Sequence, residues 1–263
     1  MNRQTTQGGH ADGTVGKALD VMDRVAAAGR PVRFAELLAG SDHPKATLYR
    51  LLQTLTSQGM LIYDEARQTY APGLRLVRLA HAAWQQSSLA PIARPYLDAL
   101  SERVGETIHL AQMDQGQVLY VDKRNARRPV DMFSEAGKIG PGYCTGVGKA
   151  MLAFLPPDDR ARAVNMQSFF AHTPRTLTSP QALTEELAAI RAAGVSFDRE
   201  EHEPGIICIA APILSSTGRV LGALSITAAT RRNTLDGLDQ LRPALTETAE
   251  QIAAAAETWQ FPD

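Results

Sequence analysis

The sequence is poor in cysteine, in aromatic residues and in net charge, and each shortage excludes something. Cys144 and Cys208 are its only cysteines in 263 residues. Two thiols make neither a disulfide framework nor a four-ligand zinc site, and they suit a reducing cytoplasm. Lysine and arginine number 27 against 28 acids, a formal charge of −1, so a uniformly basic nucleic-acid coat protein is excluded while a locally basic module is not. No stretch reaches the roughly 18 uncharged apolar residues of a membrane span. The longest candidates, 79–93 and 204–217, are interrupted by Gln85-Gln86-Ser87-Ser88 and by Pro212 and the hydroxyl run 215–217. The first residues are polar and glycine-rich without an apolar core, so no signal peptide is read there, and 1–13 is expected to be a flexible tail. With 44% hydrophobic and 21% charged residues the chain has a globular composition. A cytoplasmic protein of one large or two ordinary domains is expected.

What is present is unevenly arranged. Residues 1–75 hold nine lysines and arginines against seven acids, a net +2, and the remaining 188 hold eighteen against twenty-one. The question of nucleic acid therefore falls on the first third. That part reads as three short helices and a hairpin. Ala18, Leu19, Met22, Val25 and Ala26 recur at helical spacing and Gly29-Arg30-Pro31 stops them. Phe34, Leu37 and Leu38 mark a second helix ending at Gly40, and Pro44 opens a third that runs to about Gln58. Leu61-Ile62-Tyr63 and Gln68-Thr69-Tyr70 are brief strands around the polar turn 64–67.

In the third helix Leu48, Leu51, Leu52 and Leu55 fall at i, i+3, i+4, i+7 and must face the core of this head. The opposite face carries Ala46, Arg50, Gln53 and Ser57, flanked by Lys45, Thr47 and Tyr49, and its only charges are cationic. Arginine and glutamine can make bidentate contacts to guanine and adenine edges in a major groove, and Lys45, Thr47 and Tyr49 suit phosphates. The pattern fits a winged helix-turn-helix with Arg67 at the wing tip. It fits equally an ordinary three-helix module whose outer face is polar because it meets water.

A helix is expected over 73–88 and a second after Pro91, carrying Ile92, Tyr96, Leu97, Leu100 and Val104. Beyond Gly105 strands alternate with helices: strands at 107–113, 118–122, 206–213 and 220–227, helices near 147–155 and 181–193, and one long alanine-rich helix over 237–258. The domains read as 14–72, a linker helix 73–88, and an α+β domain 89–260. Three segments of the last could carry chemistry. Gly140-Pro-Gly-Tyr-Cys-Thr-Gly-Val-Gly-Lys149 fails the phosphate-loop pattern, since Tyr143 and Ala150 stand where glycine and a hydroxyl residue are required. Its amides at the start of a helix could still hold a small anion, or Thr145 could simply cap that helix. Asp198, Glu200, Glu201, His202 and Glu203 run into an apolar strand containing Cys208, without metal-ligand spacing. A thiol among isoleucines is more often a small buried hydrophobe than a nucleophile. Ser225 and Thr227 share one face of the last strand and could orient a ligand or satisfy each other. His81, His109 and His172 stand alone and read as structural or surface residues.

Together these segments resemble the IclR family of bacterial transcriptional regulators. The resemblance rests on Asp198-x-Glu200-Glu201-x-x-x-Gly205-x-x-Cys208-x-Ala210-Ala211-Pro212 and Gly222-Ala-Leu-Ser-Ile226. Supporting pieces are Pro95-Tyr-Leu, Gly105-Glu-Thr, Val118-Leu-Tyr-Val-Asp122, Gly148-Lys-Ala-Met-Leu-Ala153 and Thr173-Pro-Arg-Thr176. It implies a winged helix-turn-helix, a linker helix and a GAF-like effector domain. It also implies homodimers that can pair into tetramers, and a palindromic double-stranded DNA operator. Carried over residue by residue, the DNA site is Lys45, Thr47, Tyr49, Arg50 and Gln53. The effector pocket is Gly146, Val147, Asp198, Ile206, Cys208, Ser225 and Thr227, with Met132 and Ile139 added on a looser alignment. Tyr143 stands where many members have histidine, Gly146 where alanine is common, and Thr227 where serine is more frequent.

The expectation is a non-catalytic regulator, repressor or activator according to operator position, with no cofactor or metal. A small organic acid would place its carboxylate on the amides of 146–148 and on Ser225 or Thr227, with Asp198 accepting a hydroxyl or gating. The alternative is a metabolite-binding domain or a Cys208-dependent hydrolase, with His202 and Asp198, that has lost DNA binding.

Overall fold

The computed structural model describes residues 13–130 and 132–257, so the tail expected over 1–13 lies outside the described residues except for Gly13. The chain divides into two compact units that meet in sequence at Ala83 and Trp84.

The first unit follows the leucine periodicity. Helices α1 (Thr14–Ala27), α2 (Phe34–Ala39) and α3 (Lys45–Ser57) surround a core in which Val21, Val25, Leu37, Leu48, Leu51, Leu52 and Leu55 are buried. Pro44 lies just before α3 as its N-cap, with no backbone N–H to lose there. The hairpin β2 (Leu61–Asp64) and β3 (Thr69–Pro72) is joined by a third strand not foreseen from sequence, β1 (Val32–Arg33), which pairs Val32 with Tyr70. Two residues are too few to show a period of two. Asp64 Oδ1 accepts the backbone N–H of Ala66 and of Arg67, which closes the wing turn.

The division between units falls within α4 (Leu74–Ser87). In the second unit α5 (Ala90–Val104) stops at Gly105, whose φ of 71° suits the left-handed helix stop. Six antiparallel strands follow in the order β6 (Ile139–Gly140), β5 (Gln117–Arg124), β4 (Thr107–Asp114), β9 (Val220–Ala229), β8 (Ile206–Leu214), β7 (Ser196–Arg199). Helices α6 (Gly146–Phe154), α7 (Pro157–Asn165) and α8 (Pro180–Ala193) lie between β6 and β7 in the chain. The expected long helix over 237–258 is two helices, α9 (Leu235–Asp239) and α10 (Arg242–Ala256). Pro243 in the first turn of α10 cannot donate to a preceding carbonyl, so the chain breaks there. Thr258 lies outside the described residues.

The sheet has unlike faces, and this positions the cavity described below. Ile108, Ile226 and Ile209 are cross-strand partners, as are Leu110, Leu224 and Ala211. All are buried in one apolar cluster with Leu97 and Leu100 of α5 and Leu245 and Ile252 of α10. One residue along each strand the side chains point the other way. There Thr107, Thr227, Cys208 and Asp198 form one cross-strand row, and His109, Ser225, Ala210 and Ser196 the next. Helix α6 packs on this second face, where Val147, Ala150 and Met151 meet Ala111, Ala210 and Ala223.

Candidate functional site

In the first unit the exposed face of α3 is the one the leucines leave over. Lys45, Tyr49, Arg50 and Gln53 are exposed, Thr47 is half-buried, and Arg67 projects from the wing turn with a long contact to Asp64, 3.9 Å. Tyr49 packs edge-on against Phe34, at 6.2 Å between centroids. All six residues expected to read DNA therefore belong to one helix and the adjoining hairpin. The helix offers two cations and no acid to its surroundings.

In the second unit the polar rows of the sheet and the start of α6 enclose a cavity of about 30 Å³. Seven of the nine residues expected around an effector line it: Gly146 and Val147 from α6, Asp198 from β7, Ile206 and Cys208 from β8, Ser225 and Thr227 from β9. Met132 and Ile139 do not. Met132 is half-buried off the lining, and Ile139 pairs with Leu119 at the sheet edge with half of its surface exposed. The loop ahead of β6 turns Ser134 inward instead.

Six lining residues were not expected: His109, Tyr120, Ser134, Thr145, His202 and Glu203. His109 does not stand alone. Its Nε2 lies 2.8 Å from Ser134 Oγ, and its Nδ1 lies 3.2 Å from Thr227 Oγ1 and 3.4 Å from Ser225 Oγ. Burial, and then the charge of Lys123, lower its pKa to about 3, against a hydrogen bond from the ring to the Ser134 backbone that opposes them. The ring is neutral, with one donor and one acceptor. His172 likewise has company: its ring lies 4.9 Å from that of His202 and 5.0 Å from that of Phe170. Strand register would have pointed to His109, since it faces Ser225 directly. No local pattern announces it.

Thr145 is the N-cap of α6, but its hydroxyl donates to the carbonyl of Pro141 at 2.7 Å rather than accepting from the helix. The capping reading therefore fails, and the first amides of α6 have neither an intrahelical nor a side-chain cap partner. Gly146 is required by Cys208. A Cβ at Gly146 would sit 2.3 Å from the Cys208 sulfur. Ser196 Oγ donates to the Gly146 carbonyl at 2.6 Å and fixes that turn against β7.

Asp198 is buried, and its Oδ1 accepts the backbone N–H of Glu201 at 2.7 Å. Burial outweighs that bond and, aided by the charge of Glu201, raises the carboxyl to about 7. Lys149 is wholly buried, with Nζ 2.5 Å from Glu201 and 3.2 Å from Glu186. Thr173 and Thr176 donate their hydroxyls to the carbonyls of Glu200 and Glu201, at 2.7 and 2.6 Å, so this motif clamps the turn that carries the acids. Cys208 is buried, its thiol pushed far up by burial and then by Asp198, and its sulfur meets the backbone N–H of Asp198. Among the described residues no three histidine, cysteine or acidic side chains come together as metal ligands. No described helix is long and apolar enough to cross a membrane.

A winged helix-turn-helix followed in the chain by a sheet domain with a polar cavity places this protein among DNA-binding transcriptional regulators. Comparison with known proteins narrows that class. Residues 14–65 match the IclR helix-turn-helix domain, and residues 81–254 match the C-terminal domain of bacterial IclR transcriptional regulators. The HTH-type transcriptional regulator BhcR of Paracoccus denitrificans is 32% identical over 90% of this chain and 85% of its own. The crystal structure of IclR from Thermotoga maritima is 27% identical, with a TM-score of 0.75 over 93% of this chain and 98% of that one. An IclR homologue from Microbacterium hydrocarbonoxydans, solved with 4-hydroxybenzoate, shares the fold with a TM-score of 0.79 at 22% identity, over 92% and 98%. The chain belongs to the IclR family of bacterial transcriptional regulators.

Proposed function

We propose that the cavity beside α6 takes a small organic acid and that its occupancy sets operator affinity. The observation that carries this reading is the convergence, on one buried cavity, of the uncapped start of α6 with the hydroxyls of Ser225 and Thr227. Helix-start amides carry a partial positive charge and suit a carboxylate. Ser225, Thr227 and the His109 ring are placed to fix its orientation, and Asp198 lines the same cavity beside the start of α6. The small-molecule complex of the Microbacterium homologue supports the same use of this fold.

On the head, Arg50 and Gln53 would read base edges in a major groove while Lys45, Thr47, Tyr49 and Arg67 hold phosphates. With a weak local excess of charge, tight binding needs two heads, hence a homodimer on a palindromic operator and a dimer of dimers in reach. Helix α4 favours pairing of copies, since Leu74, Val77 and Leu79 are 80%, 65% and 48% exposed. We take the head as 14–72, the linker as 73–88 and the effector domain as 89–260, in a cytoplasmic protein. The role is non-catalytic: a thiol pushed up by burial stays protonated and makes a poor nucleophile.

Fluorescence anisotropy on the intergenic DNA flanking the gene, against scrambled DNA over a salt series, tests the reading. Tight, steeply salt-dependent binding to the native fragment that shifts when small acids are added is expected. A DNA affinity that no small acid alters would refute the effector role.

A further inference from the structure

Among the described residues, the cavity wall carries two carboxyl groups, Asp198 and Glu203, and no lysine or arginine. The cations behind that wall are already matched. Lys149 contacts Glu201 and Glu186, and Arg199 lies 2.8 Å from Glu186 and 3.8 Å from Glu201, so two cations face two acids. Arg175 is held by Glu200 at 2.8 Å. Glu203 accepts the backbone N–H of Phe133 at 3.1 Å. An ionised Asp198 would therefore be a buried charge with no cation of its own. An anionic ligand held at the start of α6 would be a second like charge only a few ångströms away, since Asp198 N lies 3.6 Å from where a Cβ of Gly146 would stand. Two carboxyl groups in such a space share a proton rather than both ionise.

We infer that Asp198 enters the effector complex as the neutral acid, so that an anionic effector is taken up together with one proton from solvent. This rests on the organic-acid reading above and adds its regulation. The proton goes onto the Asp198 carboxylate, and the resulting O–H donates to the ligand's carboxylate, giving a charge-assisted hydrogen bond in place of a repulsion. Every packed element bears on this group. From its own turn come Glu201, which disfavours the ion, and His202, whose backbone N–H favours it. From α6 comes Lys149, which favours the ion. Cys208 on β8, Cys144 before α6 and Tyr120 on β5 are neutral, their ionisation pushed upward, and His109 on β4 is neutral by burial. Burial is the largest influence, and it holds the carboxyl near neutrality, where a small change in surroundings moves the proton.

The first test needs no ligand. In the full-length protein labelled with ¹³C at aspartate carboxyls, the Asp198 resonance, assigned by its loss in Asp198→Asn, should titrate near neutral pH. A midpoint below pH 5 overturns the inference. The second test is calorimetry with 4-hydroxybenzoate and with acetate, from pH 6 to 8.5 in phosphate and in Tris. Uptake approaching one proton above pH 7 is expected, with affinity falling about tenfold per pH unit there. Binding without proton uptake overturns the inference and leaves the organic-acid reading standing. Binding of 4-hydroxybenzamide in preference to the acid overturns both. Asp198→Asn, which cannot ionise, should bind the acid with no pH dependence over this range. The same slope in that variant places the proton elsewhere.

Discussion

Replacing Gly146 by alanine tests the architecture of the cavity at its tightest point. The added Cβ would stand 2.3 Å from the Cys208 sulfur, well inside any van der Waals contact, while its next neighbours, Ala210 Cβ at 3.4 Å and Asp198 N at 3.6 Å, leave room. The clash is therefore with a single atom, the buried sulfur of β8 against which the start of α6 lies. Forced overpacking of this kind costs about 1–3 kcal/mol. In a unit of this size that lowers the thermal midpoint by roughly 2–4 °C per kcal/mol. Removing the sulfur by Cys208→Ala should cost about 1 kcal/mol by itself, as a small buried group lost from the core. The double variant should then be no less stable than Cys208→Ala alone, because the new methyl occupies the space the sulfur left. Calorimetric melting of all four full-length proteins gives the coupling free energy, expected at about 1–3 kcal/mol and favourable. A Gly146→Ala protein that melts with the wild type, or one equally destabilised with and without the sulfur, would refute this account of why glycine stands there.

Breaking the buried Lys149–Glu201 pair by Lys149→Met should cost about 3–5 kcal/mol, since Glu201 is left charged in the interior, and adding Glu201→Gln should recover part of it; urea unfolding measures both. His109, with its folded pKa depressed to about 3, contributes stability that is full above its unfolded pKa and is lost as pH falls below about 6.5. About 2 kcal/mol of it should be gone at pH 5, and His109→Gln should show none of this loss. Asp198 has the opposite sign. Its raised carboxyl makes the wild type lose stability as pH rises from about 4 to 7, so the advantage of Asp198→Asn should grow by about 1.4 kcal/mol per pH unit there and level off above. On the head, Arg50→Ala and Gln53→Ala should each cost about 1–3 kcal/mol of discrimination between native and scrambled DNA in anisotropy, with the thermal midpoint unchanged.

The head and the longer elements of the second unit were legible in the sequence because burial there is periodic, whereas β6, α7 and β7 were not read from it. Leucines at i, i+3, i+4, i+7 leave α3 one way to face, and the face opposite them follows without a structure. Alternation did the same for β9, where Ser225 and Thr227 had to share a side. The resemblance supplied the rest of the pocket list, and seven of those nine residues line one cavity. Where the period is too short or is interrupted, the reading gave way. Two-residue β1 left no trace, and a proline split an alanine-rich run into α9 and α10.

Tertiary structure alone decided who meets whom. His109 looked solitary because its partners lie 118 and 25 residues away along the chain, at Thr227 and Ser134. Lys149 and Glu201 are 52 residues apart and meet because α6 packs on the polar face of the sheet beside β7. Nor could spacing say that Gly146 is glycine for the sake of a sulfur on another strand, or that Met132 and Ile139 lie off the lining. Sequence periodicity reports which side of an element is dry. Strand register and helix packing then choose the partners on that side, and those partners set the charge, the proton and the space of the cavity.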